Sequence, residues 1–322
     1  MRTSRIAFFG ALAIGTIVLR AAFAPEQAAQ QESELVPAKA VSFTEASWIP
    51  LREADIPNDS MGASIRRGLY LLRFTPESLP AYAPGNLRCT SCHQDDGLKP
   101  TAAPLTGSHA RFPKYMPRSG AVIALADRVN YCFTRSLAGS AVPVDSREMT
   151  DLLAYMAYIS KDIPVGTKIA GAEGLITMRD TLVGDAARGE ALFTAKTCST
   201  CHGANGTGVG PVPALWGAKS YSVGASMARQ ERAASFIKYN MPLSSPGTLT
   251  SQEAFDLSAY INSHARPDSP GKELDWPIGG APKDVPYATT GHPAFNPPPL
   301  LPRATSRGAI VPTPPVVSRR RR

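Results

Sequence analysis

Histidine and cysteine are scarce in this chain, five of each in 322 residues. Around any cysteine pair the further Cys or His ligands that a four-coordinate zinc site needs at matching spacing are missing. No βαβ pattern flanks a CxxC, so a thioredoxin-like redox motif lacks its setting. Acidic residues are outnumbered, 26 against 34 lysines and arginines, for a formal net charge of +8. That excess is not gathered on one helix face with interleaved aromatics, which excludes nucleic acid as the expected partner. Long apolar runs are also few. After "IAFFGALAIGTIVL" at residues 6–19 no stretch is long enough to cross a bilayer, so no stable span is expected in the mature chain. Proline, by contrast, is abundant at 30 residues and points to long ordered loops or tails.

The N-terminal run follows Arg2 and Arg5 and precedes Ala22-Phe23-Ala24 and Pro25. A basic start, an apolar stretch and an A-x-A site read as a secretory signal over residues 1–24, and hence a periplasmic protein. The competing reading is a retained anchor. The shortness of the run and the interruption at Arg20 speak against it.

Four cysteines fall into two copies of CxxCH, Cys89-Thr90-Ser91-Cys92-His93 and Cys198-Ser199-Thr200-Cys201-His202. This motif attaches c-type haem: the two thiols form thioethers and the histidine reaches the iron. Two covalently bound haems c are therefore expected, through Cys89 and Cys92 and through Cys198 and Cys201, with His93 and His202 as iron ligands.

The surroundings repeat as well. "SIRRGLYLL" and "DAARGEALF" precede the two motifs, "APLTG" and "PALWG" follow them, and "SREMTDLLAYMAYI" (146–159) aligns without gaps to "SQEAFDLSAYINSH" (251–264). Asp145 to Glu148 and Thr250 to Glu253 have capping-box spacing. Leu152, Tyr155, Met156 and Ile159 lie on one helical face, as do Leu257, Tyr260 and Ile261. Each half reads as a helix leading to the haem, a loop around it and a closing helix. The fold resembles two tandem class I cytochrome c domains, mainly α, with a proline-rich C-terminal extension. The expected boundaries are an N-terminal extension at 25–60, domain 1 at 61–163, a linker at 164–184, domain 2 at 185–266 and a tail at 267–322. In "GANGTGVGPVPALWG" the glycines let backbone approach the macrocycle, and a carbonyl near the prolines is expected to hold the His202 ring.

Met241, in "KYNMPL", stands where such a cytochrome places its distal ligand, and a thioether raises the potential. The corresponding region of the first half holds Cys132, the cysteine left over, within "RVNYCFTRSLAG". Met116 in "KYMP" competes with it from sequence position, and His109, Met149 and Met156 are more distant rivals. Neighbouring arginines favour a thiolate at Cys132.

The segment "YMPRSGAVIALADRVNYCFTRSLAGSAVPVDSREM", with the CxxCH pair and "YNMP", resembles the dihaem thiosulfate dehydrogenases over roughly residues 60 to 266. The resemblance implies that His93 and Cys132 ligate a catalytic first haem and that His202 and Met241 ligate a second haem relaying electrons. It implies Arg118, Arg128 and Ser136 around the substrate, thiosulfate or tetrathionate, and a soluble or membrane-bound cytochrome c or similar acceptor. Two thiosulfates couple to tetrathionate, in some members reversibly. Arginine forks suit such oxyanions. Arg135 is expected to point away from Arg128. Two departures stand out: Ala138 occupies a place where members often carry asparagine, and Asn240, not lysine, precedes Met241, with Lys238 three residues before it. The competing readings are a non-catalytic dihaem carrier, in which Met116 would ligate the first haem, and a related enzyme for another sulfur oxyanion. In the tail, Trp276, Tyr287 and Phe295 are expected to wrap over the domains, the closing "RRRR" to be solvated, and His264 and His292 to be structural or surface residues.

Overall fold

The computed structural model describes residues 51–167, 175–179 and 182–289. The expected secretory signal, most of the expected N-terminal extension, His292, Phe295 and the terminal arginines lie outside the described residues. Among those described, no helix is long and apolar enough to cross a membrane.

In the first half α1 (Ser60–Arg73) leads to the Cys89–His93 segment. A short antiparallel hairpin of β1 (Lys114–Met116) and β2 (Ala121–Ile123) then runs into α2 (Leu125–Tyr131), and α3 (Arg147–Tyr158) closes the half. The hairpin pairs Lys114 with Ile123 and Met116 with Ala121. In the second half α4 (Ala186–Ala195) precedes the Cys198–His202 segment, α5 (Gln230–Asn240) ends at Met241, and α6 (Ser251–Ser263) closes. Among the described residues the architecture is mainly helical, with one two-stranded sheet.

Capping marks the helix starts. Asp59 accepts from the Gly62 amide at 2.7 Å. Thr250 and Glu253 form the reciprocal box the spacing predicts, with amide contacts of 2.7 and 3.2 Å. The box expected from Asp145 to Glu148 is not formed. Ser146 caps α3 instead, accepting from Met149 N at 3.1 Å. The helix therefore begins one residue later, and the third residue is a methionine, which has no carboxylate to reciprocate.

The repeated Arg-Gly acquires a reason in the helix crossings. A Cβ on Gly68 would lie 2.0 Å from the Asp151 carbonyl oxygen, and one on Gly189 would lie 2.0 Å from that of Asp256. The preceding arginine then forks onto the same aspartate. Arg67 donates to Asp151 at 2.7 and 2.9 Å, and Arg188 donates twice to Asp256 at 2.9 Å. Backbone contact and bidentate clamp thus lock α1 on α3 and α4 on α6 in the same way. Under the first crossing lie Ile65, Leu69, Leu72, Tyr155 and Ile159; under the second, Phe193, Leu257 and Ile261.

The halves share a core. Phe133, Leu137 and Met149 pack with Tyr221, Ala225 and Ala228. The segment after Arg266 runs back over the first half, where the Trp276 amide donates to the Arg118 carbonyl at 2.7 Å. Trp276 and Tyr287 do wrap as expected.

Replacing either crossing glycine by alanine forces the helices apart. Gly68→Ala and Gly189→Ala should each destabilise the protein by about 1–3 kcal/mol, read as a lower denaturant midpoint. Unchanged midpoints would contradict the close-contact account.

Candidate functional site

The first site is assembled from three segments. Thr75, fully buried, accepts from the Cys89 amide at 3.1 Å and donates toward Cys89 Sγ at 3.3 Å and Leu72 O at 3.1 Å. The motif then turns, and His93 Nδ1 donates to the Ala103 carbonyl. This bond leaves Nε2 as the ring nitrogen available to a metal. The end of α2 brings Cys132 to the His93 ring, which acts on its sulfur by charge and hydrogen bonding. Arg128, one turn earlier on the same helix face, donates Nη1 to Cys132 Sγ at 3.2 Å. The chain then widens into a π-helical turn, Cys132–Ser136, and Ser136 closes it half-buried.

The three sulfurs of this pocket differ sharply in acidity. Burial pushes the Cys89 thiol up to about 11 and the Cys92 thiol up to about 12. Burial acts on Cys132 in the same direction, but the Arg128 charge and the His93 hydrogen bond outweigh it and bring that thiol down to about 6. The pocket thus holds one sulfur as thiolate at neutral pH. Lys114 on β1 belongs to the same field: burial, then Arg111 and Arg128, lower its pKa. Sequence position gave no hint of Lys114 or Arg111, because the hairpin approaches α2 only through tertiary packing.

Arg118 sits differently from an unencumbered anion ligand. Its Nε donates to Asp275 Oδ2 at 2.9 Å, its Nη2 donates to the Tyr287 hydroxyl at 2.5 Å, and its guanidinium lies 4.7 Å from the Trp276 ring centroid. Asp275, 3% exposed, also accepts from Arg135 Nη2 at 2.6 Å and from Tyr287 at 2.7 Å. The tail therefore fixes two arginines through one carboxylate. Arg135 stacks on Tyr131 and is 8% exposed, and its Nε and Nη1 have no hydrogen-bond partner among the described residues. Ala138 has φ +51°, a left-handed conformation that asparagine adopts more readily than alanine. The asparagine expected there would suit the backbone as well as a substrate.

In the second site His202 Nδ1 donates to Pro213 O at 3.1 Å, the proline-region carbonyl that the loop composition predicts. Burial lowers the His202 pKa, which favours the neutral ring. Gly206, at φ +61°, lies under the Trp216 ring, where a Cβ would come within 2.3 Å. Cys198, Trp216 and Met241 pack on the same core, Met241 just past the end of α5. Lys238 turns to the Leu249 and Gly247 carbonyls, and Asn240 is fully buried. His264 stacks on Trp216 with centroids 4.1 Å apart, a structural role.

Among the rivals for the first iron, Met149 and Met156 are core residues of α3, His109 is exposed, and Met116 lies on β1. The residues present fit two haems c. Each CxxCH has a ring whose Nδ1 is already satisfied by a carbonyl. A thiolate faces the first ring, and the unpaired buried donors of Arg135 suit an anionic group such as a haem carboxylate.

Comparison with known proteins adds to this geometry. Residues 81–165 match the family described as SoxA/TsdA, cytochrome c domain, and residues 186–265 match Cytochrome c. The chain is 41% identical over 239 residues to the thiosulfate dehydrogenase of Psychrobacter arcticus, covering 72% of each chain. It is 40% identical over 222 residues to that of Allochromatium vinosum, covering 66% of this chain and 82% of the other. A solved thiosulfate dehydrogenase (TsdBA) from Marichromatium purpuratum, in its as-isolated form, has a TM-score of 0.64 and 31% identity. That match covers 70% of this chain and 51% of the other, so the chain spans about half the length of that protein. Two covalently bound c-type haems are the cofactors, one in each half.

Arg128→Gln removes the nearest cation and favours the protonated sulfur. In a pH titration of the ferric absorption spectrum, the thiolate-type spectrum should disappear at a pH about 1–3 units higher than in the unaltered protein. An unchanged titration would contradict the assigned role of Arg128.

Proposed function

The chain belongs to the thiosulfate dehydrogenase family, and from that premise we propose that it couples two thiosulfates to tetrathionate in the periplasm, at a site built on Cys132. The observation that carries the reading is the Arg128–Cys132 contact of 3.2 Å, with the sulfur facing His93. A dihaem carrier needs only two secure axial pairs and no anion site. A thiolate in contact with Arg128, whose charge is also felt at Lys114, is a site for anionic sulfur.

Thiosulfate is a dianion, and its approach to a buried thiolate is repulsive unless cations compensate. Arg128 offers a planar fork to the sulfonate oxygens while its Nη1 stays on the sulfur. Lys114 and Arg111 extend the positive field toward β1. Ser136 supplies a hydroxyl one turn beyond Cys132. Arg118, restrained by Asp275 and Tyr287, presents the remainder of its fork. Cys132 meets the sulfane sulfur of the first thiosulfate, and the second approaches along the same cationic edge. One sulfur–sulfur bond forms between the two sulfane sulfurs, and two electrons are released for each tetrathionate. The bound haems would supply the one-electron chemistry: His93 and Cys132 would hold the first and His202 and Met241 the second, with a soluble or membrane-bound cytochrome c or similar protein as the final acceptor. The arrangement favours no direction by itself, so tetrathionate reduction belongs to the same proposal.

Purified holoprotein should reduce ferricyanide with thiosulfate and yield tetrathionate. It should also consume tetrathionate with a reduced viologen. Cys132→Ala should lower kcat at least about a hundredfold, as loss of a group at the reacting atoms does, and Arg128→Gln should raise KM for thiosulfate. Inactivity in both directions, or full activity in Cys132→Ala, would refute the proposal.

A further inference from the structure

First-half side chains reach across the seam to the supports of both second-half iron ligands. Asn86 lies just before the first haem motif. Its Oδ1 accepts from the Ala214 amide at 3.0 Å, and its Nδ2 points to the carbonyls of Val212 and Thr207, each 3.4 Å away. Between Val212 and Ala214 lies Pro213, whose carbonyl holds the His202 ring at 3.1 Å. On the other ligand, the Thr101 hydroxyl donates to Asn240 Oδ1 at 2.8 Å, and Asn240 Nδ2 donates to Thr101 O at 2.9 Å and to Phe236 O at 3.1 Å. Asn240 is 0% exposed, with its amide fully used, and the next residue is Met241.

We propose that the first half sets the ligation and potential of the second haem. Asn86 acts through Pro213 on His202, and Thr101 acts through Asn240 on Met241; both are positioning residues. The inference rests on the reading that His202 and Met241 are the second axial pair. The acceptor bound to Nδ1 fixes imidazole orientation and basicity, so a shift of the Val212–Ala214 backbone is felt at the ligating nitrogen. A buried amide deprived of its partner does not stay in place, because an unsatisfied polar group is far less favourable than a paired one. Asn240 would then carry Met241 with it. Two residues beyond Thr101 is Ala103, whose carbonyl holds the His93 ring. One short loop thus supports the proximal histidine of the first haem and the distal methionine of the second.

The test uses holoprotein carrying Thr101→Val, Asn86→Leu or the conservative Thr101→Ser. The readouts are the methionine-to-ferric-iron charge-transfer band and the reduced-to-oxidised ratio of the second haem, poised at the wild-type midpoint. Thr101→Val and Asn86→Leu should weaken the band and change that ratio about tenfold, in the range seen when outer partners of metal ligands are lost. Thr101→Ser should preserve both. If band and ratio match wild type in both Thr101→Val and Asn86→Leu, the inference is overturned while the ligand reading stands. If the unaltered protein lacks the band, or Met241→Ala keeps it, the ligand reading is wrong and the inference falls with it.

Discussion

A buried sulfur that must carry negative charge is the constraint on which the first site depends. Burial raises the pKa of the Cys89 and Cys92 thiols before haem attachment, and it acts on Cys132 in the same direction. Arg128 and the His93 ring together reverse the outcome, and a spacing of four residues places Arg128 of α2 on the side that carries Cys132 just past its end. The helix has to start at Leu125, after the hairpin, for that face to meet His93. The change to a π-helical turn at Cys132–Ser136 then carries Arg135 off to Asp275 and the tail. Hairpin, helix and turn are thereby committed to one sulfur.

The two halves show how one scaffold carries two haem-attachment motifs in different surroundings. The Arg-Gly and aspartate clamp is the same in both, with glycine against a carbonyl oxygen and arginine forked on a buried carboxylate. What differs lies in the loops. The second half follows its haem motif with glycines at positive φ, Gly206 among them beneath Trp216, and ends α5 just before Met241. The first half spends the equivalent region on the hairpin and α2. The scaffold supplies rigidity, and the loops decide which sulfur each half offers, the Met241 thioether in one and Cys132 in the other.

Legibility in the sequence follows the range of the interaction. The CxxCH motifs, the Thr250–Glu253 box, the closing helices and the Arg128–Cys132 spacing are local patterns, and they could be read directly. Asp145 misled by one residue because two adjacent residues, Asp145 and Ser146, both suit a cap. Arg118 was legible as an arginine near the site, but not its partners, since Asp275 and Tyr287 lie more than a hundred residues onward. Lys114 and the pairing of Asn86 and Thr101 with the second half were invisible for the same reason. Their roles exist only once hairpin, seam and tail have packed.

The central claim is that the Cys132 thiolate faces His93 as the partner of the first iron. Low-temperature electron paramagnetic resonance of ferric holoprotein, compared with Cys132→Ala, addresses it most directly. The account predicts two low-spin signals in the unaltered protein, one with the narrow g-spread of thiolate ligation, and loss of that signal alone in Cys132→Ala. A narrow signal that survives the substitution, or its absence from the unaltered protein, would contradict it.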